Sequence, residues 1–183
     1  MARWFLEPGH TEVEFRARHM MVTWVRGLFK NISGWVEFDP DNPTALSFGA
    51  EFDASSLWTG VQQRDDHLRS ADFLDVDHFP TISFKSTSVR PIGEHDFVVD
   101  GDLTIRGVTQ RITLDVTYLG QSETPWWEDG VNKGPRQRAG FAARTRINRH
   151  DFGVNWNDSM PEGGIVVSPI VELRIDAEAV LEA

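Results

Sequence analysis

The chain has 183 residues, 28 acidic and 18 basic, for a formal charge of −10, and it contains no cysteine. The missing thiols exclude a disulfide framework, thiol catalysis and Cys-ligated zinc or iron–sulfur centres. The acidic balance disfavours broad nucleic-acid binding and flat docking onto anionic lipid headgroups, while 40% hydrophobic and 25% charged residues describe ordinary globular usage.

Met1 to Pro8 holds no apolar stretch of signal-peptide length, because Glu7 and Pro8 interrupt it, and no later run would cross a bilayer. The expectation is a soluble cytoplasmic protein without stable membrane insertion, folded as a single domain over residues 1–183.

Alternation, the strand period, dominates the chain. Thr11 to His19 puts Val13, Phe15, Ala17 and His19 on one face and Glu12, Glu14, Arg16 and Arg18 on the other. A short turn is expected at His19-Met20-Met21-Val22, followed by one strand around Trp24 to Phe38. Asp39-Pro40-Asp41-Asn42-Pro43 cannot continue a ladder, since its prolines lack the N–H. Leu46, Phe48, Ala50 and Phe52 then alternate. Thr59-Gly60-Val61-Gln62 reads as a capping box opening a helix that runs to Ser70. Asp65 and Arg69, four apart and acid first, suit a helix ion pair.

Further alternating sets follow at Ile82, Phe84, Ser86, Ser88, at Phe97, Val99, Gly101, Leu103, Ile105, and at Ile112, Leu114, Val116, Tyr118. Ser122 to Arg138 is polar, broken by Gly and Pro, and carries Trp126-Trp127. It reads as a long loop, a length uncommon unless functional or mobile. Ala139, Phe141, Ala143, Thr145, Ile147 and then Val171, Leu173, Ile175, Ala177 complete about eight strands.

Strands with one apolar face and so little helix to cover it need a sandwich or a closed barrel. The barrel is favoured because closure removes edge strands. Its inward face would mix Phe15, Phe38, Phe48, Phe52, Phe84, Phe97 and Phe141 with small residues such as Ala17, Ala50, Ser86, Ser88, Gly101 and Ala143. The small residues either mate with the rings across a solid lumen or leave a cavity with aromatic walls. A cavity of that kind would favour a long apolar ligand, since each buried CH2 is worth ~0.8 kcal/mol.

Along the chain the residues resemble the YceI-like polyisoprenoid-binding family. The resemblance is carried by Arg18-His19, Val25-Arg26-Gly27-Leu28-Phe29, the run Arg64 to Asp75, Phe79 to Ser86, and Gly101 to Val108. Ala139-Gly140-Phe141 and Ile147 to Gly153 complete it. It implies an all-β, extended, antiparallel, eight-stranded lipocalin-like barrel with one or two short helices, whose lumen takes an isoprenoid or similar long-chain amphiphile.

The expected function is binding of a long isoprenoid-type lipid (a polyprenyl chain, quinone or polyprenyl phosphate) as carrier, store or sensor, with the Trp126-Trp127 loop as lid. Candidate ligand-binding residues are Phe15, Ala17, His19, Phe38, Phe48, Phe52, Arg64, His67, Phe84, Phe97, Phe141 and Ala143. Arg64, Asp65, His67, Arg69 and Asp72 either meet a headgroup through the planar Arg fork or form an ion-pair network capping one barrel end. Arg149 is expected to shape a turn and to pair with an acid from the helix. His67 and His78 with Asp72, Asp75 and Asp77 form the one dense histidine–acid group. No metal, cofactor or catalytic residue is expected, for no nucleophile elbow or glycine-rich phosphate loop is visible. The alternatives are an enzyme acting on a small apolar substrate in the same cavity, and a solid-core module that binds a partner. Homodimerisation is left open.

Overall fold

The computed structural model describes residues 2–39, 42 and 45–182. Pro40, Asp41 and Pro43 of the proline-rich turn lie outside the described residues. The strands are β1 (Ala2–Leu6), β2 (Glu12–His19), β3 (Thr23–Phe29), β4 (Ser33–Phe38) and β5 (Ser47–Asp53), followed by the helix α1 (Gln62–Arg69). Then come β6 (Thr81–Pro91), β7 (Asp96–Ile105), β8 (Val108–Glu128), β9 (Val131–Asn148) and β10 (Val167–Leu181). All pairings are antiparallel, in the order β1-β4-β5-β6-β7-β8-β9-β10-β2-β3, and β1 also pairs with β10.

That last pairing closes an eight-stranded barrel, as the alternation implies. β1 is the keystone: Phe5 lies opposite Trp35 on one side and Val180 on the other. β10 divides its length between two partners. Its end, Ala179 to Leu181, meets β1, while Val167 to Asp176 meets β2. The β2–β3 hairpin therefore walls the lower half of the ring, and an isolated bridge from Leu28 to Trp58 ties it to the chain after β5.

Two stretches differ from the sequence reading. Trp24 to Phe38 is two strands, because Asn31 takes a left-handed backbone (φ 58°) and breaks the run. Ser122 to Arg138 is not a loop. It lies in the extensions of β8 and β9, joined by a two-residue turn with φ of 50° at Asp129 and 77° at Gly130. Asp-Gly in that conformation is the preferred hairpin turn. Trp126 packs edge-on against Phe5, with the guanidiniums of Arg136 and Arg138 over its ring.

β8 and β9 are paired from the hairpin tip down to Asp115 opposite Arg144. Below this point they part. Val108 to Leu114 keeps only β7 as partner, and Thr145 to Asn148 keeps only β10. Thr145 Oγ1 donates to Thr113 O at 2.7 Å and Gln110 Nε2 donates to Asp151 O at 2.8 Å across the gap.

One end of the barrel is solid. Phe38 and Phe97 are each 1% exposed and pack with Trp4, Val99 and Ala139. At the other end α1, the segment after it and the turn Arg149–Phe152 contribute Leu68, Phe73, Leu74 and Phe152 to a second apolar cluster.

Candidate functional site

Between these ends lies a cavity of about 250 Å³. β2 supplies Val13, Phe15 and Ala17, β5 supplies Phe48, Ala50 and Phe52, and β9 supplies Phe141, Ala143 and Ile147. Alternation aims these side chains inward while Arg16, Glu172 and Arg146 point to solvent. Thr11 and Arg149 are the polar residues at the wall, yet no nitrogen or oxygen contributes to its open surface.

Both readings of the small residues hold, at different positions. A Cβ on Gly101 would stand 2.1 Å from Cζ of Phe84, and one on Gly27 would stand 2.3 Å from Cζ of Phe15. Those two glycines are pits filled by rings. Ala17, Ala50, Ala143 and Ala177 instead border open space. Within the cluster the Phe48 and Phe84 rings stack at 5.3 Å between centroids, and Phe29 leans on Phe15 and Phe52.

Of the residues singled out from the sequence, Phe15, Ala17, Phe48, Phe52, Phe84, Phe141 and Ala143 line the cavity. Phe38 and Phe97 belong to the solid end, and His19, paired with Thr23 and with the wall residue Val167, does not itself line the cavity. Ser88 is turned outward by the bulge after Ser86 and donates to Asp100. The sequence reading missed Leu57, Leu68, Phe73 and Val154, which floor the cavity from outside the strands. Their one signal is that each is an apolar residue in a polar segment.

Arg64 and His67 also stand off the wall. Thr59 does not cap α1. Its hydroxyl donates to Asp65 Oδ1 at 2.5 Å and accepts from Arg64 Nε at 2.8 Å. Asp65 is 3% exposed and also accepts from Thr59 N. Arg69 does not pair with Asp65 but donates to the carbonyls of Ser55 and Leu57 at 2.9 and 2.6 Å. The helix charges thus bind the 54–59 segment to α1. His67 meets Asp72 at 2.9 Å while its ring stands edge-on to Trp156 and Phe73. His78 pairs separately with Asp75, whose hydrogen bond and charge raise the imidazole pKa. The dense histidine–acid group is thus two separate pairs.

Arg149, 5% exposed, takes no acid from the helix. It donates to four carbonyls: Ser168 at 3.0 Å, Val154 at 2.7 Å, Trp156 at 2.8 Å and Val167 at 3.1 Å. Burial pulls its pKa below the ordinary arginine value. Its five fixed donors suit this work, and they pin the segment that follows β9 against the start of β10.

Among the described residues one group, Glu7, His10 and Glu178, brings metal-ligating atoms within 4.8 Å of one another. None of the three lines the cavity, and Glu178 is already held by Arg138. No helix among the described residues is long and apolar enough to cross a membrane.

The comparisons with known proteins agree with this architecture. Protein YceI of Salmonella newport is 37% identical over 174 residues, covering 95% of this chain and 83% of that protein. The crystal structure of the Campylobacter jejuni YCEI protein superposes with a TM-score of 0.74 at 26% identity, covering 91% of this chain and 90% of that one. A polyisoprenoid binding domain from Saccharophagus degradans, implicated in plant cell wall breakdown, has the same fold. Its TM-score is 0.67 at 16% identity, with 100% of both chains covered. The YceI-like domain model matches residues 4–179, and with the closed barrel and its apolar cavity the chain belongs to the YceI-like family.

Proposed function

We propose that this protein holds the hydrocarbon part of a long isoprenoid-type lipid or other long-chain amphiphile in its lumen, as carrier, store or sensor. The observation that carries this reading is the wall, which presents carbon alone to whatever fills it. Such a surface rewards buried CH2 groups at ~0.8 kcal/mol each and offers no partner to a polar group. It also offers no acid, base or nucleophile, which favours holding over chemistry. The polyisoprenoid binding described for the Saccharophagus degradans domain supports the same ligand class.

Size refines the reading. At roughly 30 Å³ per water-sized group, a cavity of 250 Å³ takes about eight, or between one and two isoprene units. A longer chain (a polyprenyl tail, quinone or polyprenyl phosphate) needs the lumen to widen, and its headgroup stays outside the wall.

The test is mass spectrometry of the organic extract from protein purified without detergent, followed by soaking with a polyprenol. A stoichiometric prenyl species in wild type, lost in a folded Ala143→Trp variant whose indole fills the lumen, is expected. Folded wild type that yields nothing and takes up nothing on soaking would overturn the proposal.

A further inference from the structure

The chain carries a net charge of −10, but the fold concentrates arginine on one outer face. Register sets Arg26 of β3 beside Arg16 of β2, Arg16 beside Glu172 of β10, and Glu172 beside Arg146 of β9. That cross-strand row holds three cations and one carboxylate. Glu172 is engaged by both flanking arginines, at 2.5 Å from Arg16 and 3.0 Å from Arg146. Arg26 is exposed and pairs with no carboxylate among the described residues. One step along the hairpin, the guanidiniums of Arg16 and Arg18 lie over the Trp24 indole, at 4.6 and 4.2 Å from its centroid.

The tip of this hairpin is apolar. Met20, Met21 and Val22 are 39%, 58% and 80% exposed. Both methionines hold a left-handed backbone, φ 50° and 59°, a conformation that Asn or Gly adopts more readily. The turn is nonetheless fixed, with Met20 N donating to Val166 O and Val22 N donating to His19 O. Three exposed apolar side chains in a tight turn, an indole paired across the strands with Arg18 behind them, and Arg26 a further step back follow the order of a bilayer interface: acyl boundary, then interfacial ring and phosphate layer.

We propose that the β2–β3 hairpin is a peripheral docking surface for an anionic lipid bilayer, with Met20 to Val22 dipping into the acyl boundary, Trp24 at headgroup level and Arg18 and Arg26 on the phosphates. The whole-molecule charge opposes flat docking, so contact is confined to this hairpin. Asp158 and Glu162 stand on the adjoining segment and bound the positive area on that side. The inference is independent of what fills the lumen.

Co-sedimentation with vesicles tests it. Full-length protein should pellet with phosphatidylcholine vesicles containing phosphatidylglycerol, not with phosphatidylcholine alone, and rising salt should weaken the binding. Arg18→Glu with Arg26→Glu should lower the partition coefficient at least about tenfold, since each surface arginine contributes near an anionic membrane. Met20→Asn with Met21→Gly relaxes the turn, so it should raise the Tm while reducing vesicle binding severalfold. Ala143→Trp should bind vesicles as wild type does, which separates this surface from the lumen. Equal partition onto neutral and anionic vesicles, or unchanged partition in either hairpin variant, overturns the proposal.

Discussion

Gly101 shows how single atoms set the capacity of the lumen. Phe84 lies in the pit that this glycine leaves, so the ring's position depends on a missing methyl group. Gly101→Ala would drive the ring toward the cavity, at a cost of about 1–3 kcal/mol for the overpacking. The expected outcome is a lower Tm together with reduced uptake of a long-chain ligand, read by thermal melting and by ligand titration. Unchanged uptake would mean that the ring has another place to go. Arg149 makes a related point about side-chain chemistry. Its place in a turn was legible, but its partners were not. An arginine in a sequence suggests a carboxylate, whereas four backbone carbonyls have no signature in residue identity.

At the level of elements, legibility followed burial. Strands with one dry face announce themselves by alternation, and β2 and β5 to β7 fall where the pattern puts them. The outer parts of β8 and β9 lie beyond the ring, between Tyr118 and Arg138. With both faces of that ribbon largely in water, no apolar period forms and only Asp129-Gly130 remained as a signal. β1 is five residues long and too short for a pattern to develop. The charged row on β2, β10 and β9 has a pH signature. Arg16, by hydrogen bond and then by charge, holds the Glu172 carboxyl below its ordinary range, with Arg146 adding to it. A carboxyl lowered on folding stabilises the fold above its unfolded pKa, about 4.3, and that contribution is lost as the pH falls through the lower folded value. Glu172→Gln should therefore lower the Tm at neutral pH and flatten its decline on acidification. A melting series from neutral to acidic pH reads both changes, and an acid limb as steep as that of wild type would count against this assignment.

Seen whole, the molecule is a single sheet that closes twice by different means. β1 closes the upper ring, and the β2–β3 hairpin with the Trp58 bridge closes the lower one. From the sequence, the lumen could be named but not measured: alternation decides which side chains face inward, while packing of rings over glycines decides how much room they leave. The floor of the cavity was hidden for another reason. Leu57, Leu68, Phe73 and Val154 arrive from segments without a repeat, so no period marks their direction.

The parting of β8 and β9 below Asp115 and Arg144 makes the wall mechanically uneven. Each other strand pair of the eight-stranded ring must lose a ladder of backbone hydrogen bonds to separate. Here side-chain bonds from Thr145 and Gln110 hold the flanks together, with Arg106 Nη1 donating to Gly153 O at 3.2 Å at the foot of the seam, and each such bond is worth about 0.5–1.5 kcal/mol. The barrel is thus compliant along one line, and that line runs beside Ile112, Leu114, Ala143 and Ile147 of the lumen wall. Hydrogen exchange should trace it: from Val108 to Leu114 slow amides that point to β7 should alternate with fast ones that point into the seam, whereas both kinds should be slow from Asp115 to Thr117. A lipid tail would then have a sideways path into the lumen that breaks no strand pairing.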